Sequence, residues 1–209
     1  MRFSYSKLSS FMNCPKKYFY QYVENIESAP NENMLLGQLM HKALEAHYHP
    51  EMDVSDVFNE YKGYVNTGKI EQHPDLLEKV YYEYLRHYKT ELAQEILIMN
   101  ETKIDADWNV EEKDVIVMVI DKLINLHGLH IDRDHKTTTG ALKYTPAQVK
   151  YNTQQLLYAA IIEDQMEIRV DAIEIDEIRL AMLQPVPLNK NGKPTTDKNI
   201  RVLNNTIDF

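Results

Sequence analysis

Asp121 closes an apolar, β-branched run, Val115 to Ile120, and Asp134 stands two residues before Lys136 in the polar end of a second run that begins at Leu129 and Ile131. In an extended strand, residues i and i+2 project from the same face. Asp134 and Lys136 therefore point together, and the His135 carbonyl stays available as a further oxygen ligand. Two carboxylates that converge with an amine suit a hard divalent cation with water beside it. Hydrolysis of a phosphodiester needs such equipment: in-line attack by water, neutralised charge on the phosphate and help for the departing oxygen. Lys136 is the expected water-handling group, either orienting the water as an ammonium or, with a depressed pKa, taking its proton.

Three further side chains have types that could serve the same centre. His41 lies in a helical stretch, Gly37 to Tyr48, on an adjoining face with Leu44 and Tyr48, while Leu36, Met40, Ala43 and His47 mark the apolar spacing. Gln154 and Tyr158 stand four apart and so share one helix face, where an amide and a phenol can hydrogen-bond toward a phosphate or toward Lys136. Taken singly, such residues are more often core or surface positions, and an isolated D-x-K triplet is common.

The elements that must position these groups follow from capping and period. Ser6 is placed to cap a short helix with Leu8, Phe11 and Met12, and Pro15 suits the first turn of another with Tyr18, Phe19 and Tyr22. Asp53 and Pro74 mark two more helix starts. From Glu95 the period changes: Ile96 and Ile98 alternate, the Val115 and Leu129 runs follow, and Gly128 between them suits a hairpin turn, which predicts three strands of one sheet. Thr145-Pro146 opens a helix expected to run to about Gln165 and to dock through Leu156, Leu157, Ala160 and Ile161. Ile173 to Leu183 reads as a strand. After Pro185 the chain turns Pro-, Asn- and Lys-rich, with Lys190, Lys193, Lys198 and Arg201, and reaches Phe209 without an obvious terminating element, as a truncated chain would. That segment could meet a phosphate backbone or be a solvated tail. A single domain, 1–209, is expected, with a helical insertion at about 42–94, a catalytic core at 95–184 and a C-terminal segment at 185–209.

A chain of 209 residues with 44% hydrophobic and 26% charged residues can bury a proper core and fits neither a disordered nor a fibrous class. One cysteine, Cys14, permits no internal disulfide, and no start region has the form of a secretory leader, so a reducing, cytoplasmic location is expected. The stretch Asp114 to Leu126 carries Asp121 and Lys122, so no run suits a membrane span. The net charge of −9 argues against nucleic-acid binding by charge alone. Bound divalent ions would offset that charge at the point of phosphate contact.

Four separated motifs occur in order: Ser6-Lys7-Leu8 through Cys14-Pro15-Lys16-Lys17-Tyr18-Phe19; Gly37-Gln38-Leu39-Met40-His41; Ile120-Asp121-Lys122 with Asp134-His135-Lys136-Thr137; and Gln154 with Tyr158 in Gln-Gln-Leu-Leu-Tyr. On these, the chain resembles the RecB-like branch of the PD-(D/E)XK nucleases, which includes the AddB nuclease domain, CRISPR-adaptation exonucleases and phage exonucleases. The resemblance spans roughly residues 4 to 165. It implies an α/β fold with a restriction-endonuclease-like core, a mixed sheet flanked by helices, and a helical N-terminal part able to admit a DNA end or a single strand. It further implies that His41, Asp121, Asp134 and the His135 carbonyl bind Mg²⁺ or Mn²⁺, the histidine favouring Mn²⁺. Gln154 and Tyr158 would support Lys136 or the DNA backbone.

The implied activity is exonucleolytic cleavage of DNA in recombination, repair, phage DNA processing or CRISPR adaptation, with protein partners from recombination or adaptation. Several such relatives hold an iron–sulfur cluster on four cysteines, the first in the place of Cys14. No second cysteine exists here, so no cluster is expected in this chain, and Cys14 reads as a small buried residue unless ligands lie beyond Phe209. Two rivals stand beside this reading: a catalytically silent DNA-binding or recombination/CRISPR-associated module of the same fold, which loss of Asp121, Asp134 or Lys136 would favour, and a metal-dependent hydrolase of a non-nucleic substrate.

Overall fold

The computed structural model describes residues 2–26, 29–109, 114–139, 144–180 and the backbone of 201–208. The chain opens with β1 (Arg2–Ser4), α1 (Tyr5–Asn13) and α2 (Pro15–Tyr18), which continues as a π-helical turn, Phe19–Val23. The helices α3 (Glu32–Tyr48), α4 (Val54–Asn66), α5 (Leu76–His87) and the short α6 (Lys89–Leu92) follow. Three strands come next: β2 (Ile96–Asn109), β3 (Asp114–Leu126) and β4 (Leu129–Thr138). After them come α7 (Pro146–Lys150), α8 (Thr153–Met166), β5 (Ala172–Arg179) and β6 (Arg201–Asp208).

The six strands form one mixed sheet in the order β1-β3-β4-β5-β6, with β2 on the remaining edge of β3. β1 runs parallel to β3 and β5 parallel to β4, while the β2–β3, β3–β4 and β5–β6 pairs are antiparallel. The expected α/β architecture of a mixed sheet flanked by helices is therefore present. The turn between β3 and β4 has left-handed backbone at His127 (φ 55°) and Gly128 (φ 89°), as a tight hairpin requires.

Each sheet face carries its own core. On one, Leu36, Met40 and Ala43 of α3 pack with Phe58, Tyr61, Leu77 and Tyr84 from α4 and α5, and with Ile178 of β5. On the other, Tyr158 and Ile162 of α8 pack on Met118 and Ile120 of β3 and on Ile173 and Ile175 of β5. Ile175 and Ile178 are an odd number of residues apart, so the strand alternation sends them to opposite faces. Burying one such aliphatic side chain contributes about 1.5–3 kcal/mol, and the site lies between two cores built from many of them.

Several sequence expectations change. Ser4, not Ser6, caps α1 by accepting from the Lys7 N–H, because β1 ends and the helix begins two residues earlier. Asp75 rather than Pro74 is the residue at the start of α5. The helix expected from Thr145 to Gln165 is two helices: Tyr151 ends the first, and Asn152 caps the second, accepting from the Gln154 and Gln155 N–H groups. α8 docks through Gln155, Tyr158, Ala159, Ile161 and Ile162, whereas Leu156 and Ala160, expected to dock, are exposed, since the unbroken apolar run Leu156 to Ile162 covers every side of the helix and does not announce the buried one. The polar segment at 201–208 forms an edge strand, whose ladder needs backbone groups rather than an apolar run. Lys190, Lys193 and Lys198, and the end of the expected strand at 181–183, lie outside the described residues. Cys14 is exposed, contrary to its reading as a buried residue, because it sits at the N-terminus of α2 on an arm without buried positions.

Candidate metal centre

The geometry of the site starts where two strands part. The β3–β4 ladder ends at Lys122↔Arg133, and β4 then continues beside β5 as far as Thr138↔Arg179. β1 takes up the same edge of β3 only at Val117. Asp121 and Asp134, the first residues past the last rung, thus border an opening in the sheet. The expectation that Asp121 closes its strand is corrected, because β3 runs on through it to Leu126. Backbone groups in the opening need other partners. The His135 N–H donates to Asp121 Oδ2 at 2.8 Å, and the His135 carbonyl accepts from His41 Nε2 at 2.8 Å.

His41 reaches the opening from α3, which lies close against β4. A Cβ added at Gly37, one turn before His41, would stand 3.0 Å from Thr137 Oγ1, so glycine there permits the approach. With Nε2–H committed to a carbonyl, His41 turns Nδ1 toward Glu101 Oε1 (3.1 Å) and Asp121 Oδ2 (3.6 Å). Both of these are acceptors. Burial disfavours the imidazolium, but the Glu101 hydrogen bond and the charges of Asp121, Glu101 and Asp134 outweigh it and lift the pKa to about 9. Asp121 moves upward as well, to about 7, through burial and then the Asp134 charge, against the pull of His41 and Lys136. Donor atoms of His41, Glu101 and Asp121 all lie within 4.8 Å of one another.

Glu101 escaped the sequence reading. It continues the Leu97, Met99 alternation of β2, where a carboxylate is out of place, and that was the available signal. Its backbone is left-handed (φ 45°) between the rungs Asn100↔Lys122 and Thr102↔Ile120, a conformation that costs a non-glycine residue about 1–3 kcal/mol. The distortion turns its side chain to His41.

On the α8 side, Lys136 Nζ donates to Asp134 Oδ1 at 2.7 Å. Burial lowers the Lys136 pKa, yet the charges of Asp134 and Asp121 more than compensate and hold it above its ordinary value, as an ammonium. Asp134 is 3% exposed, and its other oxygen, Oδ2, is buried without a hydrogen-bond partner. A carboxylate oxygen left this way is costly unless a cation serves it. The residues therefore fit a divalent ion: an orphaned carboxylate oxygen beside a second carboxylate, with His41 and Glu101 across the opening. Asp132, also unremarked from sequence, is buried on the same strand face, and burial together with the Asp134 charge pushes its carboxyl well above the usual range.

Gln154 and Tyr158 stand one turn apart on α8, and Tyr158 is buried, which pushes its hydroxyl pKa up. The side chain of His135 takes no part in the opening. It turns to the α5 side, where its Nε2 lies 3.0 Å from Tyr84 Oη. The Tyr84 hydroxyl hydrogen goes to Asp176, so that ring nitrogen must be the donor. A cleft of about 570 Å³, bounded by Gln38, His41, Lys42 and Glu101, leads to the site from the α3 side.

Residues 2–201 match the PD-(D/E)XK nuclease superfamily. The chain belongs to that superfamily. Members of that superfamily are generally metal-dependent nucleases, so hydrolysis of phosphodiester bonds with a nucleic acid as the substrate class follows from the membership. No curated protein sequence matches the chain. Among the described residues, no helix is long and apolar enough to cross a membrane.

Proposed function

We propose that this nuclease is a divalent-metal-dependent DNA exonuclease with its reaction centre between Asp121 and Asp134. The observation that carries the reading is the pair formed by Lys136 and Asp134: an ammonium bonded to one carboxylate oxygen while the other is buried and unpartnered. In this reading Asp121, Asp134, His41 and Glu101 hold Mn²⁺ or Mg²⁺, and the imidazole makes Mn²⁺ the better fit. Such an ion supplies charge neutralisation at the phosphate and acidifies the attacking water. His41 binds through Nδ1 once that nitrogen has lost its proton, because the bond from Nε2 to the His135 carbonyl fixes the other tautomer position. The His135 carbonyl, first considered as a ligand, then acts chiefly as the anchor of His41.

Lys136 orients water as an ammonium, which its carboxylate neighbours favour over the free-base role. Gln154 and Tyr158 contact the nucleic-acid backbone. DNA as the substrate, exonucleolytic action and the RecB-like placement rest on the likeness of the four ordered motifs, and so do roles in recombination, repair, phage DNA processing or CRISPR adaptation. A single 209-residue nuclease domain in a reducing, cytoplasmic setting accords with the lone cysteine.

End-labelled single- and double-stranded DNA incubated with Mn²⁺ or Mg²⁺ tests the assignment. Wild type should shorten the strands, while Asp121→Ala and Lys136→Ala lose about 10²–10⁴-fold in rate. Calorimetry should show metal binding lost in Asp121→Ala and largely kept in Lys136→Ala. Wild type that binds DNA yet never cuts it under either metal would make this a silent binding module.

A further inference from the structure

His135 stands past the last β3–β4 rung, and its backbone serves two side chains of the candidate metal centre at once. The N–H donates to Asp121 Oδ2 at 2.8 Å, and the carbonyl accepts from His41 Nε2 at 2.8 Å. On its other edge β4 is held by β5, where the residue in register with His135 is Asp176. A peptide segment that carries two such side chains passes any rotation on to both. Whatever fixes residue 135 therefore also fixes the spacing of His41 and Asp121.

The His135 ring leaves β4 on the side opposite to Lys136 and is buried. Its Nε2 lies 3.0 Å from the hydroxyl of Tyr84, a buried residue of α5, and the two rings meet edge-on with centroids 5.7 Å apart. The same hydroxyl donates to Asp176 Oδ2 at 3.2 Å. Tyr88, at the end of α5, donates to Asp176 Oδ1 at 2.6 Å, and Arg133 Nε lies 3.6 Å from Asp176 Oδ2. Asp176 is thus held by two hydroxyls and a guanidinium. From it a continuous series of contacts runs through Tyr84 and His135 to His41 and Asp121.

We infer that Tyr84 is a positioning residue of the metal centre: its hydroxyl, set by Asp176, holds the His135 ring, and the backbone of residue 135 in turn holds Asp121 and His41. A phenylalanine ring would fill the same space in the core formed with α3 and α4. For stability alone, a buried polar network gains little over an apolar one of the same shape. What the hydroxyl adds is direction. It accepts from the imidazole and donates to the carboxylate, and both bonds are made together only when the His135 ring is turned as it is here. Helix α5 thereby acts on the metal centre without supplying a ligand. The inference deepens the nuclease reading and rests on it for His41 and Asp121 as ligands, though not for the substrate or the mode of cleavage.

The test uses the whole chain and two variants that each remove one hydroxyl from Asp176 and keep the ring. Tyr84→Phe takes away the hydroxyl that meets His135, and Tyr88→Phe is the matched control. Three quantities are read: Mn²⁺ affinity by calorimetry, the His41 imidazole N–H resonance of the metal-free protein after ¹⁵N-histidine labelling, and urea unfolding. Tyr84→Phe should weaken Mn²⁺ binding about 10–100-fold and shift the His41 resonance, while Tyr88→Phe stays within about twofold of wild type in affinity and leaves that resonance in place, at a similar loss of stability. A second pair holds should Tyr84→Phe not fold: His135→Gln, whose amide can donate to the same hydroxyl, should bind Mn²⁺ at least about fivefold more tightly than His135→Leu. Equal affinities and an unmoved His41 resonance in the two tyrosine variants would overturn the positioning role, as would equal affinities in the two His135 variants. Wild type that binds Mn²⁺ and cuts no DNA, with binding impaired in Tyr84→Phe, would support the positioning and refute the nuclease reading alone.

Discussion

Arg133 and His135 leave one face of β4 for a closed set of charges, while Asp134 and Lys136, the residues between and beyond them, border an open one. In the closed set, Arg133 meets Glu174 at 2.5 Å and Glu91, and lies over the Tyr88 ring. Lys122 meets Glu95 at 2.8 Å under the Tyr48 ring, and Tyr84 and Tyr88 both donate to Asp176. Every buried cation there has a carboxylate partner inside the fold. In the opening, three carboxylates, Glu101, Asp121 and Asp134, face one fixed cation, Lys136, and a titrating imidazole. Burial is common to both regions. They differ in how their carboxylates are served: Glu91, Glu95, Glu174 and Asp176 each meet a buried cation or a tyrosine hydroxyl, whereas in the opening Asp134 Oδ2 has no hydrogen-bond partner, as befits the seat of a cation.

The sharpest way to break that contrast is to remove one member from each side. Arg133→Met should cost about 3–5 kcal/mol in urea unfolding, because Glu174 and Asp176 remain buried without their cation. Asp134→Asn should do the opposite, lowering the cleavage rate roughly a hundredfold or more while leaving the unfolding midpoint unchanged or higher, since Asp121 loses a like-charged neighbour. Comparable destabilisation by both substitutions would erase the distinction.

Acidity should sharpen it next. Asp121, lifted to about 7, and His41, lifted to about 9, both hold protons in the folded metal-free protein that the unfolded chain releases at lower pH. The fold therefore binds the extra proton, and metal-free stability should fall as pH rises, through Asp121 between its unfolded value and about 7 and through His41 between its unfolded value and about 9. Metal affinity should run the other way, gaining about tenfold per pH unit from 7 to 9 as His41 gives up its proton, and more steeply below 7. Thermal melts with and without Mn²⁺ across that range would reveal the crossing trends, and parallel trends would contradict them.

The smallest effect separates backbone from side chain at Glu101. Glu101→Gly and Glu101→Ala should both weaken metal binding, but the glycine variant should be the more stable by about 1 kcal/mol, because only glycine occupies φ 45° without a Cβ penalty. Equal stability of the two would mean that the strand relaxes at this position.

The legible parts of this protein were those with a local cause. The D-x-K spacing put Asp134 and Lys136 on one strand face, Gly128 placed the hairpin, and Asp53 and Thr145 announced helix starts, because each depends on a few adjacent residues. Edge strand β6 was not legible, since its partner β5 lies more than twenty residues earlier and the pairing is made by backbone groups. The docking side of α8 and the exposure of Cys14 also escaped, as both depend on what packs nearby.

By itself, then, the sequence determined the chemical inventory: two aspartates, a lysine, a histidine and a glutamine–tyrosine pair in an order that matches a nuclease superfamily. Tertiary structure alone decided that the ladder stops at Lys122↔Arg133, that Glu101 joins the set through a left-handed turn of β2, and that one oxygen of Asp134 has no partner. The reason is range. Alternation within a strand is fixed by neighbouring dihedral angles, whereas the parting of two strands depends on which others compete for their edges: β2 and β1 hold one, and β5 draws the other away.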